Sequence, residues 1–84
     1  NRLAQQLAAQ LAAVPGVRVT QRVDGNGVFA IFPEPIIAPL QAEFPFYVWN
    51  EKINEVRLMC SWDTTEEEVA RFVVRAKELQ QKAN

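Results

Sequence analysis

The chain has no histidine and a single cysteine, Cys60, among its 84 residues. Without imidazole there is no Ser-His or Cys-His nucleophile pair, no imidazole base and no His-ligated metal. One thiol closes no internal disulfide and builds no thiolate zinc site. Such a chain suits a reducing, cytoplasmic compartment. An excess of one charge is also missing, since 9 Lys+Arg against 10 Asp+Glu leave a formal net charge of −1. No basic cluster exists to track a phosphate backbone, so nucleic acid is not an expected partner. No apolar run approaches the roughly 20 residues that span a bilayer. No charged segment precedes an apolar core in the manner of a signal peptide, and a membrane is not an expected partner either.

What is present describes a globular chain. Hydrophobic residues make up 49% and charged residues 23%, a balance that buries a core rather than staying disordered. Residues 1–84 are expected to form one small domain, burying roughly 60–65% of the surface of the unfolded chain. The sequence opens on Asn1 with helical periodicity already running, which reads as a piece of something longer.

Leu3, Leu7, Leu11 and Val14 fall at helical spacing and predict a first helix, stopped by Pro15-Gly16. Val17, Val19, Gln21 and Val23 alternate with Arg18, Thr20 and Arg22, as in a strand with one buried face. Asp24-Gly25-Asn26-Gly27 holds two overlapping hairpin-turn dipeptides. The run Val28–Phe32 is apolar throughout, which predicts a strand covered on both faces. Pro35 then opens a helix of about two turns through Ile36, Ile37 and Leu40, with Pro39 tolerated near its start. Phe46–Trp49 is a strand by aromatic and β-branched content. Glu55–Trp62 is its hairpin partner, with Val56, Leu58, Cys60 and Trp62 on one face and Glu55, Arg57, Met59 and Ser61 on the other. Thr65 with Glu68, or equally Thr64 with Glu67, caps a last helix whose buried stripe is Val69, Phe72, Val73, Ala76 and Leu79. The order α-β-β-α-β-β-α predicts an α+β fold, a mostly antiparallel four-stranded sheet with helices packed on one face.

Candidate chemistry is sparse. Glu66, Glu67 and Glu68 suit a helix N-terminus, where negative charge is locally stabilised, better than an acid-base pair. Cys60 falls among inward alternates and reads as a structural thiol. The Asp24–Gly27 glycines are not followed by a helix and read as a turn, not a phosphate cradle. Phe46, Tyr47, Trp49 and Trp62 read as cross-strand packing. Lys52, Lys77 and Lys82 read as solvated surface. Arg57 carries two readings. It is either a solvated strand arginine paired with Glu55 or a cross-strand acid, or a guanidinium held outward by a rigid strand to take a carboxylate through two hydrogen bonds.

From Val14 onward the chain resembles the C-terminal small domain of the pyridoxal-phosphate-dependent threonine aldolases, fold-type I enzymes within the β-eliminating-lyase group. The residues that carry the likeness are Val14-Pro15-Gly16-Val17, Asn26-Gly27-Val28-Phe29-Ala30 with Pro33, Phe46-Tyr47-Val48-Trp49 and, most strongly, Val56 through Glu67. The resemblance implies a parent lyase performing retro-aldol cleavage of β-hydroxy-α-amino acids to glycine and an aldehyde. It also implies a large pyridoxal-phosphate domain as partner, an amino-acid substrate and a homo-oligomeric enzyme. Arg57 matches the arginine that binds the substrate α-carboxylate in that family. None of Lys52, Lys77 and Lys82 matches the lysine that bonds the cofactor, so this chain alone is expected neither to hold the cofactor covalently nor to catalyse. The family runs as strand through the Asn26 region, which would move the hairpin turn toward Gln21-Arg22. A sibling lyase that cleaves a different bond and a stand-alone interaction or ligand-binding module are the competing functions.

Overall fold

The computed structural model describes residues 2–20 and 25–83. Helix α1 (Arg2–Ala12) is followed by strands β1 (Arg18–Val19) and β2 (Gly27–Ile31), helix α2 (Glu34–Glu43), strands β3 (Tyr47–Asn50) and β4 (Glu55–Met59), and helix α3 (Glu66–Ala83). The strands form one antiparallel sheet in the order β1-β2-β4-β3. This is the α+β arrangement expected from the sequence. The β3–β4 hairpin folds back so that β4 slots beside β2, leaving β2 and β3 in the same direction with β4 between them. Both central strands therefore pair on two sides, and their outward side chains have flanking neighbours.

One core serves all the elements. It joins Ala4, Leu7 and Leu11 of α1, Val28 and Ala30 of β2, Ile36, Ile37 and Leu40 of α2, Val56 and Leu58 of β4, and Val69, Phe72, Val73 and Ala76 of α3. Phe32 lies at its centre, 1% exposed, with the rings of Phe46 and Phe72 at centroid distances of 6.3 and 6.2 Å. These side chains are the inward alternates of the strands and the apolar stripes of the helices, so the helices share one face of the sheet.

Several boundaries differ from expectation for identifiable reasons. Helix α1 ends at Ala12, and the Ala13 and Val14 amides instead donate to the Gln10 and Leu11 carbonyls, three residues back, tightening the exit turn. Gly16 then adopts φ +83°, where a Cβ would lie 2.9 Å from Pro33 Cγ, so glycine is required there for both conformation and space. Helix α2 is longer than two turns, because Pro39 is exposed and the missing amide bond does not break a helix anchored by Ile36, Ile37 and Leu40. Strand β4 stops at Met59 rather than Trp62. The Ser61 amide donates to Thr64 Oγ1 at 2.9 Å and the Thr64 amide to the Ser61 carbonyl at 3.1 Å, so a turn replaces the last strand residues. Trp62 is thrown outward, 95% exposed, not packed across strands as expected.

At the start of α3 the two capping alternatives resolve. The Glu68 amide donates to Thr65 Oγ1, and the Thr65 hydroxyl donates to Glu68 Oε1, both at 3.2 Å. Thr64 serves the preceding turn instead. Of the two turn placements between β1 and β2, Gly25 and Asn26 do lie in a turn and Gly27 opens β2, while the Gln21-Arg22 alternative lies outside the described residues.

Candidate functional site

The face of the sheet away from the helices is built by register. Phe29 of β2 and Tyr47 of β3 stand directly opposite Arg57 on β4, and Met59 stands opposite Gly27. Because side chains alternate along a strand, all these residues point away from the core. Arg57 thus occupies the middle strand of the three, on the outward side that its parity predicts.

Arg57 is not simply solvated, however. Its Cζ lies 5.9 Å from the centroid of the Phe29 ring and 5.6 Å from that of Trp49, within reach of cation–π attraction. The two rings meet edge-to-face at 5.3 Å and 78°. They come from strands on opposite sides of β4, so they close over it where Arg57 rises. The Nε atom is buried and has no hydrogen-bond partner. The Arg57 side chain forms no ion pair or hydrogen bond with the described residues.

The expected pairing with Glu55 is absent for a clear reason. Glu55 is only 7% exposed although it lies on the outward face, and its Oε2 accepts the Thr20 hydroxyl. The acid two residues along the strand is therefore committed elsewhere, and the guanidinium has no carboxylate partner among the described residues. Sequence reasoning found Arg57 but missed both the ring pair and the Thr20–Glu55 bond. The parity of Phe29, Trp49 and Arg57 was visible, but the strand order that brings β2 and β3 to either side of β4 was not.

The remaining candidates separate from this face. Cys60 is buried, and loss of solvation pushes its thiol above the usual value of 9.0, the opposite of an activated nucleophile. Glu66 pairs with Arg2 at 3.2 Å and Glu68 belongs to the cap, so the acidic run is structural. Lys52 lies exposed in the β3–β4 turn and Lys77 and Lys82 lie exposed on α3. Phe46 is partly buried and packs against the core, while Tyr47 remains 71% exposed. Arg75 grips Glu43 through Nε at 3.0 and 2.8 Å. This raises the Arg75 pKa through the Glu43 hydrogen bond and ties α3 to α2. A cleft of about 330 Å³ opens among Leu7, Phe44, Leu58, Cys60, Val69 and Phe72, and Arg57 takes no part in it. No group of three or more His, Cys, Asp or Glu side chains among the described residues is placed to hold a metal. No described helix is long and apolar enough to cross a membrane.

Fold and site together define a class: a small α+β unit whose sheet carries helices on one side and, on the other, a ring-flanked arginine with no ionic partner among the described residues. Comparison with known proteins makes the relation particular. Over 70 residues, 82% of the chain, it is 46% identical to the low specificity L-threonine aldolase of Pseudomonas aeruginosa. It is 39% identical over the same length to the low specificity L-threonine aldolase of a Pseudomonas species. The chain spans 20% of the length of each of these relatives, and it resembles a small domain of a threonine aldolase. No protein-family model matches it.

Proposed function

We propose that these 84 residues act as the substrate-clamping small domain of a pyridoxal-phosphate-dependent, threonine aldolase-like lyase, with Arg57 binding the α-carboxylate of a β-hydroxy-α-amino acid. The observation that carries the reading is the outward guanidinium whose neighbouring acid is occupied by Thr20. A guanidinium on a stiff strand, without an acid partner among the described residues, favours a planar anion, and a carboxylate meets its fork in two parallel hydrogen bonds. Anchoring one end of the substrate fixes the direction of its remaining bonds, so orientation is this domain's contribution to rate.

The residues present do not fit a site for the cofactor. The three lysines are exposed, two on the helical side and one in a turn, and none stands on the Arg57 face. In this reading the cofactor belongs to a larger domain outside these residues, the enzyme is a cytoplasmic homo-oligomer, and the chain alone is inactive. The exposed side chains of Tyr47, Trp49 and Met59 suit a face that meets another domain. They would equally serve a stand-alone interaction module, for which sedimentation of the isolated chain with and without candidate partners is the check.

The decisive experiment is Arg57→Ala in the full-length protein. It should lower kcat/KM for L-threonine cleavage at least about 100-fold, the loss of a charge-assisted two-pronged contact of about 3 kcal/mol. Unchanged kinetics would remove Arg57 from the substrate site.

A further inference from the structure

Three observations about the Arg57 face converge on residues other than Arg57. The rings of Phe29 and Trp49 touch each other above the strand that carries it. Both lie within cation–π range of its guanidinium carbon. Its Nε is sealed off without an acceptor, a cost that a freely moving arginine would relieve by swinging into water. The pairing of β3 with β4 adds a fourth. Val48 stands opposite Val56 and Asn50 opposite Glu55, so Trp49 is the extra residue of a β-bulge. A bulge bends its strand, and the bulged residue here is the one whose indole reaches Arg57.

We infer that Phe29 and Trp49 are positioning residues: they clamp the Arg57 side chain so that its terminal nitrogens face outward, ready for a carboxylate. The inference rests on the carboxylate-binding reading of Arg57 and adds what holds that residue in place. An arginine oriented by an acid spends its charge on that acid. Rings orient it through their π faces and leave its outer N–H groups unpaired. Pre-orientation also removes part of the rotamer entropy that a long side chain loses on binding.

The test is direct binding to the full-length protein of L-serine and of ethanolamine, which is L-serine without its carboxylate. In the unaltered protein the ratio of the two affinities measures the carboxylate contact. Trp49→Ala and Phe29→Ala should each lower L-serine affinity about 10-fold while ethanolamine affinity stays within about 2-fold. Trp49→Phe, which keeps a π face, should restore most of the ratio. Trp49→Leu, which keeps apolar bulk but no π face, should behave as Trp49→Ala does. A ratio unchanged in Trp49→Ala, Trp49→Leu and Phe29→Ala overturns the inference, and so does Trp49→Leu matching Trp49→Phe. Arg57→Ala separates the two claims. If it abolishes the ratio while the ring variants do not, the carboxylate reading stands and the clamp falls. If Arg57→Ala leaves the ratio intact, both fall.

Discussion

On the inner face of the sheet, Val28, Ala30, Val56 and Leu58 are sealed under three helices, whereas on the outer face of the same strands Phe29, Arg57 and Met59 stand without a helical layer. The inner face obeys a volume rule, in which apolar residues of suitable size fill space and few polar atoms intrude. The outer face obeys a charge rule. There an acid, Glu55, is buried against a hydroxyl, and a base, Arg57, is wrapped in rings, so each is held without neutralising the other. In the proposed reading, stability resides on one side of strands 5 residues long and recognition on the other. Such a division lets a site keep unspent charge without weakening the core.

The sharpest way to break this contrast uses matched residues on the two sides. Phe32→Ala should destabilise the chain by about 3–5 kcal/mol in urea unfolding, as a fully buried ring at the meeting of sheet and helices. Phe29→Ala, half-buried on the outer face, should cost roughly 1 kcal/mol. Equal losses would mean that the outer face is core after all. Arg57→Ala, expected to reduce kcat/KM as described above, should leave the unfolding free energy in urea within about 0.5 kcal/mol of the parent value.

Smaller effects sharpen the account of how the faces are held. Gly16→Ala should lose about 1–3 kcal/mol, since φ +83° is unfavourable for alanine and its methyl would press on the Pro33 ring. Thr65→Ala should lose about 1 kcal/mol by removing the hydroxyl that caps α3. Smallest is the pH response of Cys60, whose thiol is raised by burial. Between the unfolded and the raised folded pKa the native state holds the extra proton. Its contribution is therefore full below about pH 9.0 and is lost as pH rises through the folded value. Unfolding free energies at pH 8 and pH 10.5 should show this slope, and Cys60→Ala should remove it.

Particular residues show how far the sequence could be read. The stripes of α1 and α3, the alternation of β4 and the element order were all legible, because period 3.6 and period 2 report which side of an element is apolar. The Val28–Phe32 run was legible as a strand, but the expected cover on both faces is only partial, since Phe29 and Ile31 are half-buried on the outer face. There Trp49 and Arg57 pack on Phe29, and no second layer of described residues covers the strand. The end of β4 was misread because Trp62 continues the alternation, whereas Ser61, Asp63 and Thr64 form a local turn that outcompetes the ladder. Choosing Thr65 over Thr64 as the cap followed from the same turn, which takes the Thr64 hydroxyl first.

Periodicity and turn chemistry by themselves determined the order and type of the elements, the inward stripe and the outward direction of Arg57, since each depends only on spacing along the chain. Tertiary structure alone decided what surrounds that arginine. Strand order and a one-residue bulge bring Phe29 from one neighbour and Trp49 from the other, and send Glu55 to Thr20, because contacts between residues distant in sequence depend on which strands pair and in what register.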